Sequence, residues 1–264
     1  MEMARWVDIV VADVNYYFDG TPLLLALTQE FDWKPCLLVD ESHNLIDRGR
    51  SMYTASLSRA DLLAAKKVAP ATVKKYLEKI NKAWLHLLKA LDGKQEDYVR
   101  LDILPEKLGQ SLEEFTNDYL EFLQQHPDHP VQETFVQEIF FAALNYQRIV
   151  ELYDEDFCID MQNLGSKEEI LTLRNLIPAR QLGARLGFAH SACFFSATLH
   201  PANYYQTLLG LLDNSVHIKV PSPFNKEQLN IHIAKNLSTR YKERAAAIHP
   251  ICEIISQQLH SNPG

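Results

Sequence analysis

The residues best equipped for chemistry lie in "LLVDESHNL", positions 37–45. There an apolar run ends in the adjacent carboxylates Asp40 and Glu41, and His43 follows two places later. An aspartate at the end of a strand can hold a magnesium ion, directly or through water, because a hard cation prefers oxygen ligands. A glutamate beside it can accept a proton from an attacking water. A second candidate is "FFSATLHP", positions 194–201, where another apolar run ends in Ser196, Ala197 and Thr198. Each stretch alone has a plain structural reading: solvated acids with Glu41 capping the next helix, and Ser196 or Thr198 as N-caps. Together and in this order they are far less expected by accident.

Acids of this kind work beyond the carboxyl ends of parallel strands, so the surrounding pattern must supply those strands. The stretch "WVDIVVADV" (6–14) is β-rich and almost continuously apolar, which predicts a buried strand. An Asp-Gly turn and a short helical segment follow in "YYFDGTPLLLALTQEF", and then "KPCLLVDES" predicts a second buried strand opened by Pro35. From about Ser58 to Gly93 the period changes. Leu62, Leu63, Val73, Leu77, Ile80, Trp84, Leu87 and Leu88 recur at helical spacing, with lysines on the opposite face. Pro70 is expected to split this stretch into two helices, and Gly93 to stop the second. Ser111 with Glu114 three places on has the form of a capping box opening a helix over 111–125. "HPDHP" (126–130) reads as a break and 131–153 as another long helix. The middle block is thus expected to be an all-α insertion of roughly a hundred residues. Strand character returns at 156–163, 169–178 and 191–198, then "LHPANYYQTLLGLL" reads as a helix. Alternation at 216–220 and 229–236 predicts two more strands, and a helix is expected over about 239–260. The outline is α/β, an α insertion, then α/β again.

A chain of 264 residues has room for about two domains or one large one, and 47% hydrophobic residues can build a sizeable core. No apolar run is long enough to cross a bilayer, and "MEMARWVDIV" does not read as a signal peptide. No membrane partner and a cytoplasmic location are therefore expected. Cys36, Cys158, Cys193 and Cys252 form no C-x-x-C pair, and three of them sit in apolar runs, which predicts buried free thiols rather than metal ligands. The net charge of −8 argues against a general nucleic-acid-coating protein but leaves room for a local basic groove.

The two motif stretches give the chain its resemblance. "LLVDESHNL" has the form of a Walker-B segment, which serves nucleotide hydrolysis when a phosphate-binding loop completes it. It resembles the "DEAHNL" of the XPD/DinG-type superfamily 2 DNA helicases. "DIVVADVNYYFD" resembles that family's strand and "NY" segment before Walker B. "LIPARQLGARLGFAHSACFFSATLHPANYYQTLLGL" is similar to the approach to and exit from its motif III. "PSPF" and "LSTRYKER" resemble the entry to its second motor domain, so the likeness covers nearly the whole chain.

The resemblance implies a partial RecA-like (P-loop NTPase) parallel sheet interrupted by a helical Arch domain. Residues 1–51 and 154–218 would be part of the first motor domain, 52–153 the Arch, and 219–264 the start of the second motor domain. Asp40 would coordinate magnesium and Glu41 would activate water. His43 would couple the nucleotide site to motif III, here Ser196, Ala197 and Thr198. Asn15 and Tyr16 would lie near the DNA-facing end. Ser42 stands where the family usually has alanine. The complete motor would use ATP and Mg2+ and translocate on single-stranded DNA, 5′ to 3′, in repair or replication.

The departures from the family are also specific. No G-x-x-x-x-G-K-S/T loop occurs, and "NLGSKEE" (163–169) has only the letters G-S-K. The family's 4Fe–4S cysteines and its Walker A loop are expected upstream of this chain, and the arginine motifs of the second motor domain beyond it. The chain is therefore expected to lack the N- and C-terminal parts of the motor and to hydrolyse no ATP alone. A competing reading is a non-catalytic DNA-binding or protein-interaction module, with Lys66, Lys67, Lys74, Lys75, Lys79 and Lys82 along a phosphate path. The same lysines also suit a solvated helix face. A complete small hydrolase built on Asp40, Glu41 and His43 would lack a nucleophile and a phosphate loop.

Overall fold

The computed structural model describes residues 2–91, 97–126, 134–165, 168–228 and 231–261. Two compact units divide the chain, Met1–Val216 and His217–Gly264.

In the first unit, α1 (Asn15–Phe18) and α2 (Leu23–Glu30) lead into β1 (Cys36–Val39) and α3 (Leu45–Met52). Next come β2 (Ala55–Ser58), α4 (Arg59–Val68), α5 (Ala71–Ala90), β3 (Tyr98–Leu101), α6 (Glu106–Gln125) and α7 (Thr134–Leu152). The unit closes with β4 (Phe157–Asn163), β5 (Glu169–Asn175), α8 (Ala179–Leu186), β6 (Ser191–Phe194) and α9 (Ala202–Leu208). These strands form two sheets. One is the parallel pair β1–β6, in register from Cys36 opposite Ser191 to Val39 opposite Phe194. The other is antiparallel, in the order β2-β5-β4-β3. A parallel pair needs a crossover connection, and here everything between Val39 and Ser191 serves as one. The fold is α/β, a parallel sheet with a large, mainly helical insertion.

The helical periodicity explains the core. Val73, Leu77, Ile80 and Trp84 line one stripe of α5; Leu108, Leu112, Phe115 and Tyr119 do the same on α6. Val136, Ile139, Ala143, Tyr146 and Ile149 bury the matching face of α7. These stripes join Leu57, Ile159, Met161, Leu171 and Leu173 of the antiparallel sheet in one continuous core. Each large side chain so buried contributes about 1.5–3 kcal/mol, so the insertion has ample means to hold its shape. Pro70 separates α4 from α5, as its fixed φ and missing N–H require. Ser58 caps α4 by accepting the Asp61 amide proton.

Several expectations are corrected. Residues 6–14 are not a strand; they run without sheet partners, and Val11 is 96% exposed. An apolar run becomes a strand only when another strand takes up its backbone hydrogen bonds, and none of the described strands lies beside this one. β1 is shorter and more open than predicted, with Leu38 exposed on the face away from the core. The middle block also contributes β2 and β3, four residues each, too short for a periodicity window to separate from the helices around them. The capping box at Ser111 does not cap. The helix starts after Pro105, and the Ser111 hydroxyl turns back onto the carbonyls of Lys107 and Leu108. Cys36, Cys193 and Cys252 are exposed and Cys158 half-buried. Cys36 and Cys193 sit with Leu38 and Ser191 on one face of the two-stranded sheet, and that face is open. Gly93 and most of "HPDHP" lie outside the described residues.

The strands expected at 216–220 and 229–236 do not form at 216–220 or 231–236, despite the alternation, and 229–230 lie outside the described residues. The regular part of the second unit is α10 (Arg244–Ser261), which carries Pro250 in its first two turns. Among the described residues, no helix is long and apolar enough to cross a membrane.

Candidate active site

β1 and β6 run in the same direction and end at the same level, so whatever follows each strand meets the other. The ladder continues past the strand ends: the Phe195 amide donates to Val39 O at 3.0 Å and the Ser42 amide to Phe195 O at 3.2 Å. Asp40–Glu41 and Ser196–Thr198 are thereby brought together.

The turn after β1 is tight. Glu41 adopts φ 46° and ψ 37°, a left-handed conformation that costs a non-glycine residue about 1–2 kcal/mol. The Asp40 carboxylate supports it by accepting the Glu41 amide proton at 2.7 Å. A single helical turn over Ser42–Asn44 then leads into α3. This path brings the His43 ring to the Ser196 hydroxyl, Nδ1 to Oγ 2.8 Å. The same Nδ1 is 3.2 Å from Glu41 Oε2, and Ser196 Oγ donates to that oxygen at 3.4 Å. Thr198 closes the cluster, its amide donating to Ser196 Oγ at 3.3 Å. Ser196 Oγ is the hub, touching a base, an acid and a backbone donor at once.

The acids are solvated, as the plain structural reading has it, but the capping bonds of that reading are not made. Glu41 makes no capping bond with its side chain, and α9 begins after Pro201 without a side-chain cap from Ser196 or Thr198. Of the letters G-S-K, Gly165 follows β4 and takes φ 94°, while Ser166 and Lys167 lie outside the described residues.

A cleft of about 330 Å³ opens beside the acids, lined by Val14, Val39, Asp40, Glu41, Asn44, Leu45, Asp47 and Arg48. That is at the small end of ligand sites. Asp40 and Glu41 are both exposed at this cleft, and their oxygens fit a hard divalent cation that keeps most of its water and takes further ligands from phosphate. Among the described residues no three His, Cys, Asp or Glu side chains converge as a metal cage. The four cysteines are spread over β1, β4, β6 and α10.

Asn15 and Tyr16 open α1, next to Val14 in the cleft wall but not in the lining themselves. Arg48 is a cleft residue that sequence reasoning missed. It pairs with Asp13 at 2.9 Å, and Asp13 also accepts the Asn15 amide proton at 2.9 Å. That amide, and then the Arg48 guanidinium, hold the Asp13 carboxyl below its usual range. The only sequence signal was position: Arg48 lies four residues, one helical turn, after Asn44, another residue of the lining. In the helical block, Lys79 is paired with Glu114 at 2.9 Å and Lys75 lies over the Tyr76 ring at 4.5 Å. Those two lysines are already engaged within the protein.

No protein-family model and no curated protein matches the chain. Among solved structures, a chain described as "XPD_Helicase" matches with a TM-score of 0.51 at 18% identity, covering 82% of this chain and 36% of that one. Another, "XPD_APO", matches with a TM-score of 0.43 at 18% identity, over 75% of this chain and 36% of that one, too low to argue from. The first likeness shows the fold: over most of its length this chain is built like part of an XPD helicase. It spans about a third of that structure.

Proposed function

We propose that the chain is a segment of an ATP-dependent DNA helicase of the XPD/DinG type. It would carry the Walker-B half of the nucleotide site, an Arch insertion over 52–153 between the two parts of a first motor domain (1–51 and 154–218), and the start of a second motor domain (219–264). The single observation that carries this reading is the 2.8 Å contact between His43 and Ser196, which ties two motif-bearing strand ends into one site.

In this reading Asp40 would hold a magnesium ion, which would supply positive charge to offset that of the nucleotide's phosphates. Glu41 accepts a proton at Oε2 from water attacking the terminal phosphorus. His43 senses that proton, because its Nδ1 is 3.2 Å from the same oxygen. Any change in the Glu41–His43 distance passes to Ser196 and Thr198, and so to the chain that leads into α9. Asn15 and Tyr16 contact single-stranded DNA, and the parent motor moves 5′ to 3′ in repair or replication in the cytoplasm. A 4Fe–4S cluster and the phosphate-binding loop belong to other parts of that motor.

Manganese and ATP test the reading without requiring turnover. Mn2+–ATP at millimolar concentration should broaden the amide resonances of residues 40–44 and 196–198 selectively, and Asp40→Asn should abolish that selectivity. Broadening that ignores Asp40→Asn, or that never reaches these residues, would sink the assignment.

A further inference from the structure

Ser42 is a polar residue only 1% exposed, set between the exposed Glu41 and the half-buried His43. Both of its donors point at one acceptor. Its amide donates to Phe195 O at 3.2 Å and its hydroxyl donates to the same oxygen at 3.1 Å. A carbonyl oxygen has two lone pairs, and here one residue fills both. An alanine at this position would keep the amide bond. The hydroxyl is therefore not needed to satisfy Ser42's own backbone; it adds a second tether across the gap between the two strand ends.

Two neighbours make that tether consequential. Upstream, Glu41 is held in left-handed backbone. Such a conformation persists only where the surroundings over-determine it, and the supports are the Asp40 carboxylate on one side and Ser42 on the other. Downstream, the Phe195 carbonyl belongs to the same planar peptide unit as the Ser196 nitrogen and Cα. Fixing the plane of that carbonyl fixes the base from which the Ser196 hydroxyl reaches His43, Glu41 and Thr198.

We infer that Ser42 is a positioning residue whose hydroxyl, bound to the Phe195 carbonyl, locks the Glu41 turn and the Ser196 hub into one arrangement. Its functional meaning rests on the helicase reading, but the lock itself does not.

The test compares Ser42→Ala and Ser42→Thr with the unaltered chain, by NMR and without nucleotide. In the unaltered chain the His43 ring should show well-separated Nδ1 and Nε2 shifts, the sign of one hydrogen-bonded tautomer. Ser42→Ala should bring the two shifts together and lower amide-exchange protection at Ser42 about tenfold. Protection at Leu38 and Cys193 in the β1–β6 ladder should stay. Ser42→Thr, which keeps the hydroxyl, should restore both signals. An unchanged His43 ring and unchanged Ser42 protection in Ser42→Ala would overturn the inference. Should Ser42→Ala fail to fold, Ser42→Cys decides, since it keeps the volume and weakens the donor: merged His43 ring shifts support the lock, and shifts as well separated as in the unaltered chain overturn it. Because no nucleotide is present, failure of the helicase reading leaves this result standing, and the reverse also holds.

Discussion

His43 Nδ1 and Ser196 Oγ are 2.8 Å apart in space and 153 positions apart in sequence. The whole insertion, with its helices and its antiparallel sheet, leaves the parallel pair at Val39 and returns at Ser191 without disturbing the register of four paired residues. An insertion of that size is tolerated because loop-closure entropy grows slowly with length, while the strand pair fixes both ends. The consequence is a small polar cluster whose parts come from distant stretches of chain. Such a cluster is testable by its coupling.

A double-mutant cycle measures it. His43→Ala and Ser196→Ala should each destabilise the first unit slightly, and the double variant should cost less than their sum. The His43 side chain is 33% exposed, so a coupling of about 0.5–1 kcal/mol is expected, the lower part of the range for neutral hydrogen bonds. Urea unfolding of the four proteins reads it. Additivity within about 0.3 kcal/mol would mean the contact does not form in solution.

The site was legible in the sequence to the extent that its parts are local. Asp40, Glu41 and Ser196 each follow a short apolar strand, and the spacing of the acids and the histidine is visible at once. The helices over 59–68 and 71–90 were legible as well, because Leu62, Val73, Leu77, Ile80 and Trp84 repeat over many turns. What was hidden depends on partners. Val7, Ile9 and Val11 have every local mark of a strand, yet sheet structure is a property of pairs, and these residues have no paired neighbour among the described residues. Arg48 was hidden for the same reason, since its partner Asp13 lies 35 positions away in the sequence. Ser42 looked like a harmless variation, because nothing local reveals that Phe195 stands opposite.

The ion pair between Arg59 and Glu169 joins the start of α4 to the start of β5. Its side chains are each 9% exposed and 2.9 Å apart. Arg59 also reaches Asn81 at 3.5 Å, while Glu169 Oε2 is buried with no hydrogen-bond partner among the described residues. A pair so incompletely satisfied adds little net stability, yet removing one partner strands a buried charge. Glu169→Ala should therefore cost about 3–5 kcal/mol in urea unfolding. The double variant Arg59→Met with Glu169→Leu should lose less than half of that. Equal losses in both would show that packing, not the stranded charge, sets the cost.

The Asp13–Arg48 pair gives a pH signature. The Asp13 carboxyl is held below its ordinary value, first by the Asn15 amide and then by Arg48. A carboxyl with a depressed folded-state pKa stabilises the fold above its unfolded pKa, and the contribution is lost as pH falls through the folded value. The loss therefore lies in acid, at and below the ordinary carboxylate range, and it is small because the group is exposed. Arg48→Met should move the Asp13 midpoint up, toward the ordinary value but not fully to it, since the Asn15 amide remains. Carbon-detected NMR of the Asp13 carboxyl measures this. An unmoved midpoint would mean Arg48 does not hold Asp13 in solution.

The last expectation is that this chain alone hydrolyses no ATP, although it carries the acid pair. Under the proposed function Asp40 would offer a magnesium ion one carboxylate, and sites of this kind bind weakly until substrate phosphates complete the coordination. In nucleotide-hydrolysing motors those phosphates are held by the backbone amides and lysine of a G-x-x-x-x-G-K-S/T loop, which does not occur in this sequence. Positioning supplies much of phosphoryl-transfer catalysis, so its loss removes most of the rate. An arginine that offsets transition-state charge is worth roughly 10³–10⁵ in rate in other NTPases. Arg48, the arginine in the cleft, is neutralised by Asp13 at 2.9 Å and is poorly placed to replace it. A DNA-stimulated ATPase assay on the purified chain, with Glu41→Gln as control, should give equal background rates. Turnover that disappears in the control would show that the chain builds a phosphate site of another kind, and that Glu41 serves it as the base.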